Sequence, residues 1–227
     1  MIHVVSSGGF APALGVLARL FEQATGTAID SQSSPANAVP QRLARGEDID
    51  VVIVAGPALA QMMAAGYVTE RLDLARSGIG VAVREGAARP DISTPEALRK
   101  ALLAAGSIGL SASVSGAYVR ERLFDRLGIA EAVRGKTRTV TGEPVGAAVA
   151  RGDVDIGFQQ ISELKPIAGI TLLGPLPAPL QQLTVFAAGL VATGTQMEAA
   201  RALMRFLASG DAAPTIVECG MEPAASE

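Results

Sequence analysis

The sequence predicts an α/β chain of two lobes joined by two crossing strands. Three observations carry that prediction. Short apolar runs alternate with segments of helical periodicity, glycines punctuate the ends of those segments, and the alternation occurs as two similar units. A β-α-β-α-β-α order builds a parallel sheet with right-handed crossovers. Strand-like stretches near 77–84 and 183–190 link the units, which assigns residues 1–80 with 186–227 to one lobe and 81–185 to the other. A chain that passes twice between lobes makes a cleft with a two-strand hinge, and closure on a ligand is the expected motion.

The first strand spans 2–5 and breaks at Ser6-Ser7-Gly8-Gly9. Over 10–24 apolar residues recur at helical spacing (Phe10, Leu14, Leu17, Ala18, Phe21), and Gly26 ends that helix. A strand follows at 27–31. Residues 37–45 read as a helix with Asn37 as N-cap, Val39 and Leu43 on one face, and Pro40 in the first turn, where proline is tolerated. The run 50–55 suits a parallel strand buried on both faces, and 59–65 is helical up to Gly66. In the second unit a strand at 77–84 gives way to the polar turn 85–91, after which Thr94 and Pro95 start a helix as N-cap and N1. Further strands fall at 107–110, 137–141, 155–158 and 171–173, with helices at 117–126, ended by Gly128, and at 145–150. After the Pro-rich stretch 174–179, a long apolar strand covers 183–192 and a helix covers 198–207. Asp50 and Asp155, each just before a buried strand, read as structural residues at strand edges.

At 227 residues the chain can bury a substantial core. Hydrophobic residues make up 49% and charged ones 18%, the balance of a compact fold rather than a disordered chain. Aromatics are 4% with no Trp, which leaves no stacking platform for sugars or single-stranded nucleic acid. A net charge of −3 likewise speaks against a nucleic-acid partner, which needs a basic stripe. No apolar run approaches the roughly 18–20 residues that cross a membrane, so no membrane insertion is expected. The N-terminus enters a strand at once, without a basic and apolar leader. The location is periplasmic if a leader has been removed and cytoplasmic if this N-terminus is native. Cys219, the one cysteine, reads as a small buried hydrophobe.

The one histidine, His3, lies inside the first strand, so there is no multi-histidine metal site and no route to a Ser-His-Asp triad. There is no Walker A motif, and Gly78-Ile79-Gly80 lacks the third glycine of a dinucleotide fingerprint and sits within a strand. No cofactor and no metal are expected. What remains is binding, or proton transfer by carboxylates.

Three serine-bearing loops each follow a strand and precede a helix: Ser6-Ser7-Gly8-Gly9, Ser33-Ser34-Pro35-Ala36-Asn37 and Ser111-Ala112-Ser113-Val114-Ser115-Gly116. The first N–H groups of a helix lack intrahelical partners, and the helix dipole favours negative charge there. Converging on one cleft, such ends hold a small oxyanion or carboxylate without a metal or a lysine. The same turns also serve as plain N-caps. Tyr118, at a helix start, either points its hydroxyl into the cleft or packs within its lobe. Arg84, at the end of a crossing strand, is either a carboxylate partner or a surface arginine.

Five stretches carry a family likeness: Leu20-Phe21-Glu22 to Thr25-Gly26, Asp50 to Ala55, Pro90-Asp91-Ile92-Ser93-Thr94-Pro95-Glu96-Ala97-Leu98, Arg151-Gly152-Asp153-Val154-Asp155-Ile156-Gly157-Phe158, and Gly174-Pro175-Leu176-Pro177. With them the chain resembles the molybdate-type periplasmic solute-binding proteins, of the type II periplasmic-binding fold. The resemblance implies a small anion held by hydroxyls and backbone N–H groups from loops of both lobes. Here these are Ser6, Ser7 and Gly8 from the first loop, and Ser33 and Ser34 with Asn37 from the second. The third loop supplies Ser113, Ser115 and Gly116, and the loop of Glu143 and Pro144 leads to Val145. Where molybdate binders carry a tyrosine after the Gly-Phe strand, this chain has Gln159 and Gln160, amides that suit an oxyanion, a carboxylate or a carboxamide. A transporter permease is the implied partner, in ABC-type uptake.

The resemblance also implies an alternative. Relatives of this fold include an aconitate isomerase, whose reaction needs proton removal from carbon, stabilisation of the resulting anion by N–H groups, and reprotonation. Glu143, beside the expected anion site, is the candidate base, its pKa raised by partial burial. A binding protein for a small anion and a cofactor-independent isomerase of a small di- or tricarboxylate are the two readings of the sequence.

Overall fold

Parallel strands decide the layout of this chain, because each ends in a loop that can present N–H groups before the next helix begins. The computed structural model describes residues 1–224; the last three residues of the expected first lobe lie outside them. The chain forms two units, Met1–Ser77 with the segment from Thr184 onward, and Gly78–Leu183. The first unit opens with β1 (Ile2–Ser6), α1 (Ala11–Thr25), β2 (Ile29–Ser33), α2 (Val39–Ala44), β3 (Val51–Ala55), α3 (Gly56–Ala64) and β4 (Val68–Ser77). The second runs through β5 (Ile79–Arg84), α4 (Pro95–Ala104), β6 (Ile108–Ser111), α5 (Val114–Tyr118), α6 (Phe124–Arg126), α7 (Ala130–Arg134) and β7 (Thr137–Val140). It continues with α8 (Val145–Arg151), β8 (Ile156–Gln160), α9 (Ile161–Leu164) and β9 (Ile170–Pro175). The chain then returns to the first unit with β10 (Thr184–Val191), α10 (Met197–Leu207), α11 (Ala213–Glu218) and β11 (Glu222–Pro223).

Both units use one plan. In the first, β1 lies between β2 and β3 and parallel to both, and β10, β4 and β11 extend the sheet antiparallel beyond β3. In the second, β6 lies between β7 and β8 and parallel to both, with β5 and β9 following antiparallel. A first strand flanked by the next two makes a topological switch point, where loops at the strand ends diverge and leave room for a ligand.

Burial on both faces explains the apolar runs. In β3, Val51 and Ile53 join a core beneath α1, α10 and α11, while Val52 and Val54 join another with α2 and α3. In the second unit Leu110 and Phe158 pack with α4 to α7, and α8 covers the opposite face through Val145, Ala148 and Val149. Gly109 and Gly157 let α8 approach closely: a Cβ on Gly157 would fall 2.5 Å from Val149.

Two aspartates anchor the strand starts. Asp50, fully buried before β3, accepts the N–H groups of His3 at 2.9 Å, Thr195 at 2.8 Å and Gln196 at 2.9 Å. Asp155, before β8, accepts those of Gly106 at 2.8 Å and Ser107 at 3.1 Å. Each carboxylate thereby ties a third strand to the start of the central one.

Several elements differ from expectation. β4 lies where no strand is expected before residue 77, because Glu70, Arg71, Asp73 and Arg76 interrupt its apolar pattern; pairing with β10 supplies what the pattern lacks. The helices α7, α9 and α11 span too few residues to show a period. The helix expected at 117–126 starts earlier, at Val114, and its middle, Val119–Leu123, is π-helical. α2 begins at Val39 with Ala38 at the cap position, so Asn37 is not its N-cap. Among the described residues no helix is long and apolar enough to cross a membrane.

Asp50→Ala strands three backbone N–H groups, and it should lower the unfolding free energy by about 2–4 kcal/mol in urea titrations. Asp50→Asn, which keeps an acceptor oxygen, should lose less.

Candidate functional site

In the first unit the expected donors gather where β1 and β2 end. Ser6 pairs in register with Ser33, the Ser34 N–H donates to the Ser6 carbonyl at 2.9 Å, and the Ser7 N–H donates to the Ile53 carbonyl at 2.8 Å. Ser7 is thus held between the ends of β2 and β3. Its neighbour Gly9 lies on the Phe186 ring, where a Cβ would come within 2.1 Å of a ring carbon, so only glycine lets the loop lie this low. The Ser6 hydroxyl donates to the Ser7 carbonyl at 3.0 Å. The Ser7 Oγ, in contrast, is buried without a hydrogen-bond partner among the described residues. An unpaired buried hydroxyl costs roughly 1–3 kcal/mol, which calls for a reason outside folding. Ser34 is buried at the same edge, whereas Ser33 and Asn37 are exposed. His3 stands at the other end of β1, between the carboxylates of Asp30 at 3.3 Å and Asp48 at 3.6 Å.

In the second unit β6, β7 and β8 end on one edge. Register sets Ser111 against Val140 and Leu110 against Phe158, so Ser111 and Gln159 come next on neighbouring strands, roughly 5 Å apart. By strand alternation both side chains share the face of Gly109 and Gly157, which α8 covers. The hydroxyls of Ser111, Ser113 and Ser115 form a triangle with sides of 2.8, 3.0 and 3.2 Å. Each hydroxyl carries one proton, so the triangle is satisfied by itself, yet rotation about Cβ–Oγ can turn those protons to an anion. Gly116 is pressed against the strand end: a Cβ there would fall 1.8 Å from the Ser111 carbonyl oxygen.

Next to this cluster lies a chain of polar contacts. Gln159 is buried, and its Oε1 accepts the Val145 N–H at 2.7 Å. With that oxygen taken, the amide nitrogen is the group through which Gln159 lowers the pKa of the Glu163 carboxyl. Gln160 is buried opposite Ile79. Glu163, four residues beyond Gln159 in α9, is half-buried, and burial pushes its carboxyl up to about 7 against the smaller lowering by the Gln159 amide. Both of its protonation states are therefore populated near neutral pH. The sequence reading passed over Glu163 because it sits in a four-residue helix without a motif; its spacing of four from Gln159 was the available signal.

Glu143 does not match its expected environment. It is exposed, and Arg151 binds its two carboxylate oxygens at 2.6 and 2.7 Å, an ion pair that holds its pKa below the ordinary glutamate value. Partial burial does not raise it. The Val145 N–H, an expected anion donor, is already taken by Gln159. The Tyr118 hydroxyl donates to the Leu180 carbonyl at 2.7 Å and accepts from Arg126 at 3.2 Å, so it packs within its own unit. Arg84 lies at the edge away from the serines, because β5 is antiparallel to β8 and sets Ile79, not Val83, opposite Gln160.

Chain order and fold match a known class. Residues 2–222 fit the family model of the bacterial extracellular solute-binding proteins, and the chain belongs to that family. It is 42% identical to an aconitate isomerase of Pseudomonas sp., over 98% of this chain and 87% of that protein. The periplasmic molybdate-binding protein of Azotobacter vinelandii shares the fold with a TM-score of 0.77 at 19% identity, over 100% of both chains. The sulfate-binding protein SubI from Mycobacterium tuberculosis H37Rv also scores 0.77, at 18% identity, over 98% of this chain and 86% of that one. The expected solute-binding family holds, with an aconitate isomerase among the relatives, and the expected α/β periplasmic-binding fold is shared with a molybdate-binding protein.

Glu163 also makes stability depend on pH. Its folded carboxyl binds a proton more tightly than the unfolded one, so its stabilisation is complete below the ordinary glutamate range and is lost as pH rises through about 7. Between pH 5 and 8, wild type should lose up to roughly 3 kcal/mol relative to Glu163→Gln in urea unfolding. A constant difference would refute the burial argument.

Proposed function

We propose that the protein binds a small polycarboxylate and isomerises it by moving a proton between carbon atoms, as an aconitate isomerase does. The observation that carries this reading is the 42% identity to such an enzyme over 98% of the chain. The candidate residues support it. Neutral hydroxyls and backbone N–H groups suit carboxylate oxygens, and they can hold the extra charge that develops when a neighbouring carbon loses its proton. The shift itself requires a base of near-neutral pKa and a means to return the proton. Ser7 carries a hydroxyl whose partner, on this reading, is the ligand.

The family model and the molybdate- and sulfate-binding proteins of the same fold favour a second reading, in which the protein delivers a small oxyanion to an ABC-type transporter permease. A thermal-shift series with molybdate, tungstate, sulfate and the two aconitates, alongside NMR of aconitate turnover, separates the two. Isomerisation with stabilisation by aconitates supports the enzyme; stabilisation by oxyanions alone, without turnover, selects transport. Ser7→Ala removes an unpaired buried hydroxyl, so its melting should stay level or rise by up to about 1 kcal/mol in stability. Its affinity for aconitate, by calorimetry, should fall about 5–10-fold.

A further inference from the structure

We infer that Arg120 is a substrate-binding residue, which pairs its guanidinium with a carboxylate of a polycarboxylate held at the serine end of the second sheet. The inference rests on the isomerase reading above. Its basis is one hydrogen bond and one strand register. The Arg120 Nη2 donates to the Thr139 Oγ1 at 2.7 Å. Thr139 lies near the end of β7 and pairs with Leu110 of β6, directly before Ser111. The guanidinium is therefore moored on the strand beside the one that ends in the serine triangle, at the same edge, with the strands roughly 5 Å apart. The chain reaches the same place by a second route: Arg120 follows Ser115 by five residues, about 6–8 Å of helix rise.

Among the described residues no carboxylate pairs with Arg120, and its partner Thr139 is neutral. Other cations of the second unit are engaged: Arg126 with Tyr118 and the Pro179 carbonyl, Arg134 with Glu131, and Arg151 with Glu143 and Asp153. One bond from Nη2 leaves the Nε and Nη1 donors of the planar fork for a second acceptor, and Arg120 is exposed, so a ligand can reach it. It stands in the π-helical stretch Val119–Leu123, a rare geometry that recurs at functional sites. Residues 99–138 carry eight lysines and arginines against three acids in a chain of net charge −3, so the local field draws anions to this face.

A polycarboxylate needs what the serines lack. Hydroxyls bond its oxygens but leave its several negative charges uncompensated, and taking those charges out of water is costly. An arginine supplies both a fixed positive charge and a two-pronged N–H pattern that matches a carboxylate. Arg84, the expected carboxylate partner, lies at the edge away from the serines. Arg120 lies at the serine edge. A compact oxyanion on the three hydroxyls does not extend to a cation one strand away, whereas a tricarboxylate carries a further carboxylate that does. Arg120 therefore selects an extended polyanion over a small tetrahedral one.

The test is calorimetry of cis-aconitate with wild type, Arg120→Gln, Arg120→Lys and Arg122→Gln, beside melting curves of each and NMR of aconitate turnover by wild type. Arg120→Gln should melt with wild type and weaken the aconitate Kd by about 10–100-fold. Arg120→Lys, which keeps the charge and loses the fork, should weaken it by about 3–10-fold. Arg122→Gln, which removes an exposed charge two residues on, should stay within about twofold. A Kd within about twofold of wild type in Arg120→Gln overturns the assignment, and so does an equal loss in Arg122→Gln, which would make the effect one of general charge. Wild-type turnover with an unchanged Kd in Arg120→Gln leaves the isomerase reading standing. Wild type that neither binds nor isomerises aconitate overturns both together. If Arg120→Gln does not fold, Arg120→Lys decides, and a wild-type Kd there overturns the assignment.

Discussion

The Asp50 carboxylate organises the first unit. By accepting the N–H groups of His3, Thr195 and Gln196, it locks the start of β1 to β3 and to the segment that leads into α10. With that end locked, Val4 faces Val51, and the Ser7 N–H arrives at the Ile53 carbonyl at the other end. The hydroxyl of Ser7 is then left over, inside, with no partner among the described residues. Asp155 does the equivalent work in the second unit. It ties the approach to β6 onto β8, so Leu110 meets Phe158, and Ser111 and Gln159 come side by side. Donor geometry at one edge of each sheet is thus set by a carboxylate at the other edge, and the rigid ladder between carries the constraint.

Two glutamates show how environment divides one side chain into two chemistries. Glu143 precedes α8 in water and finds Arg151, and the cation favours its charged form. Glu163 lies three residues past a buried strand end; losing water costs its charged form more than the Gln159 amide returns. The first is a surface ion pair of little energetic consequence. The second is a desolvated carboxyl whose neutral form burial favours. Glycines make the serine cluster physically attainable: Gly116 lets α5 start against the Ser111 carbonyl, and Gly157 lets α8 lie close enough for Val145 to reach Gln159.

Much of the fold was legible because its signals are local. The apolar run of β3, the period of α1, and Thr94 with Pro95 at the start of α4 each declare their structure within a few residues. β4 was hidden because its charged alternation makes sense only once β10 lies beside it. At the candidate site, the serine loops were visible as strand-to-helix turns. Yet loop chemistry alone did not separate buried Ser34 from exposed Ser33, nor forecast that Gln159 would occupy the Val145 N–H.

By itself, the sequence determined the α/β class, the family and the serines at strand-to-helix turns, and its one histidine and one cysteine leave out multi-histidine and multi-cysteine chemistry. These follow from residue type and short-range pattern, which the chain carries wherever it folds. Only the tertiary structure decided which carboxyl is desolvated, which hydroxyl lacks a partner and which N–H is already spent. Those properties depend on what lies across a strand or beneath a helix. Neighbours 14 or 47 residues away, as for Val145 with Gln159 and His3 with Asp50, set them.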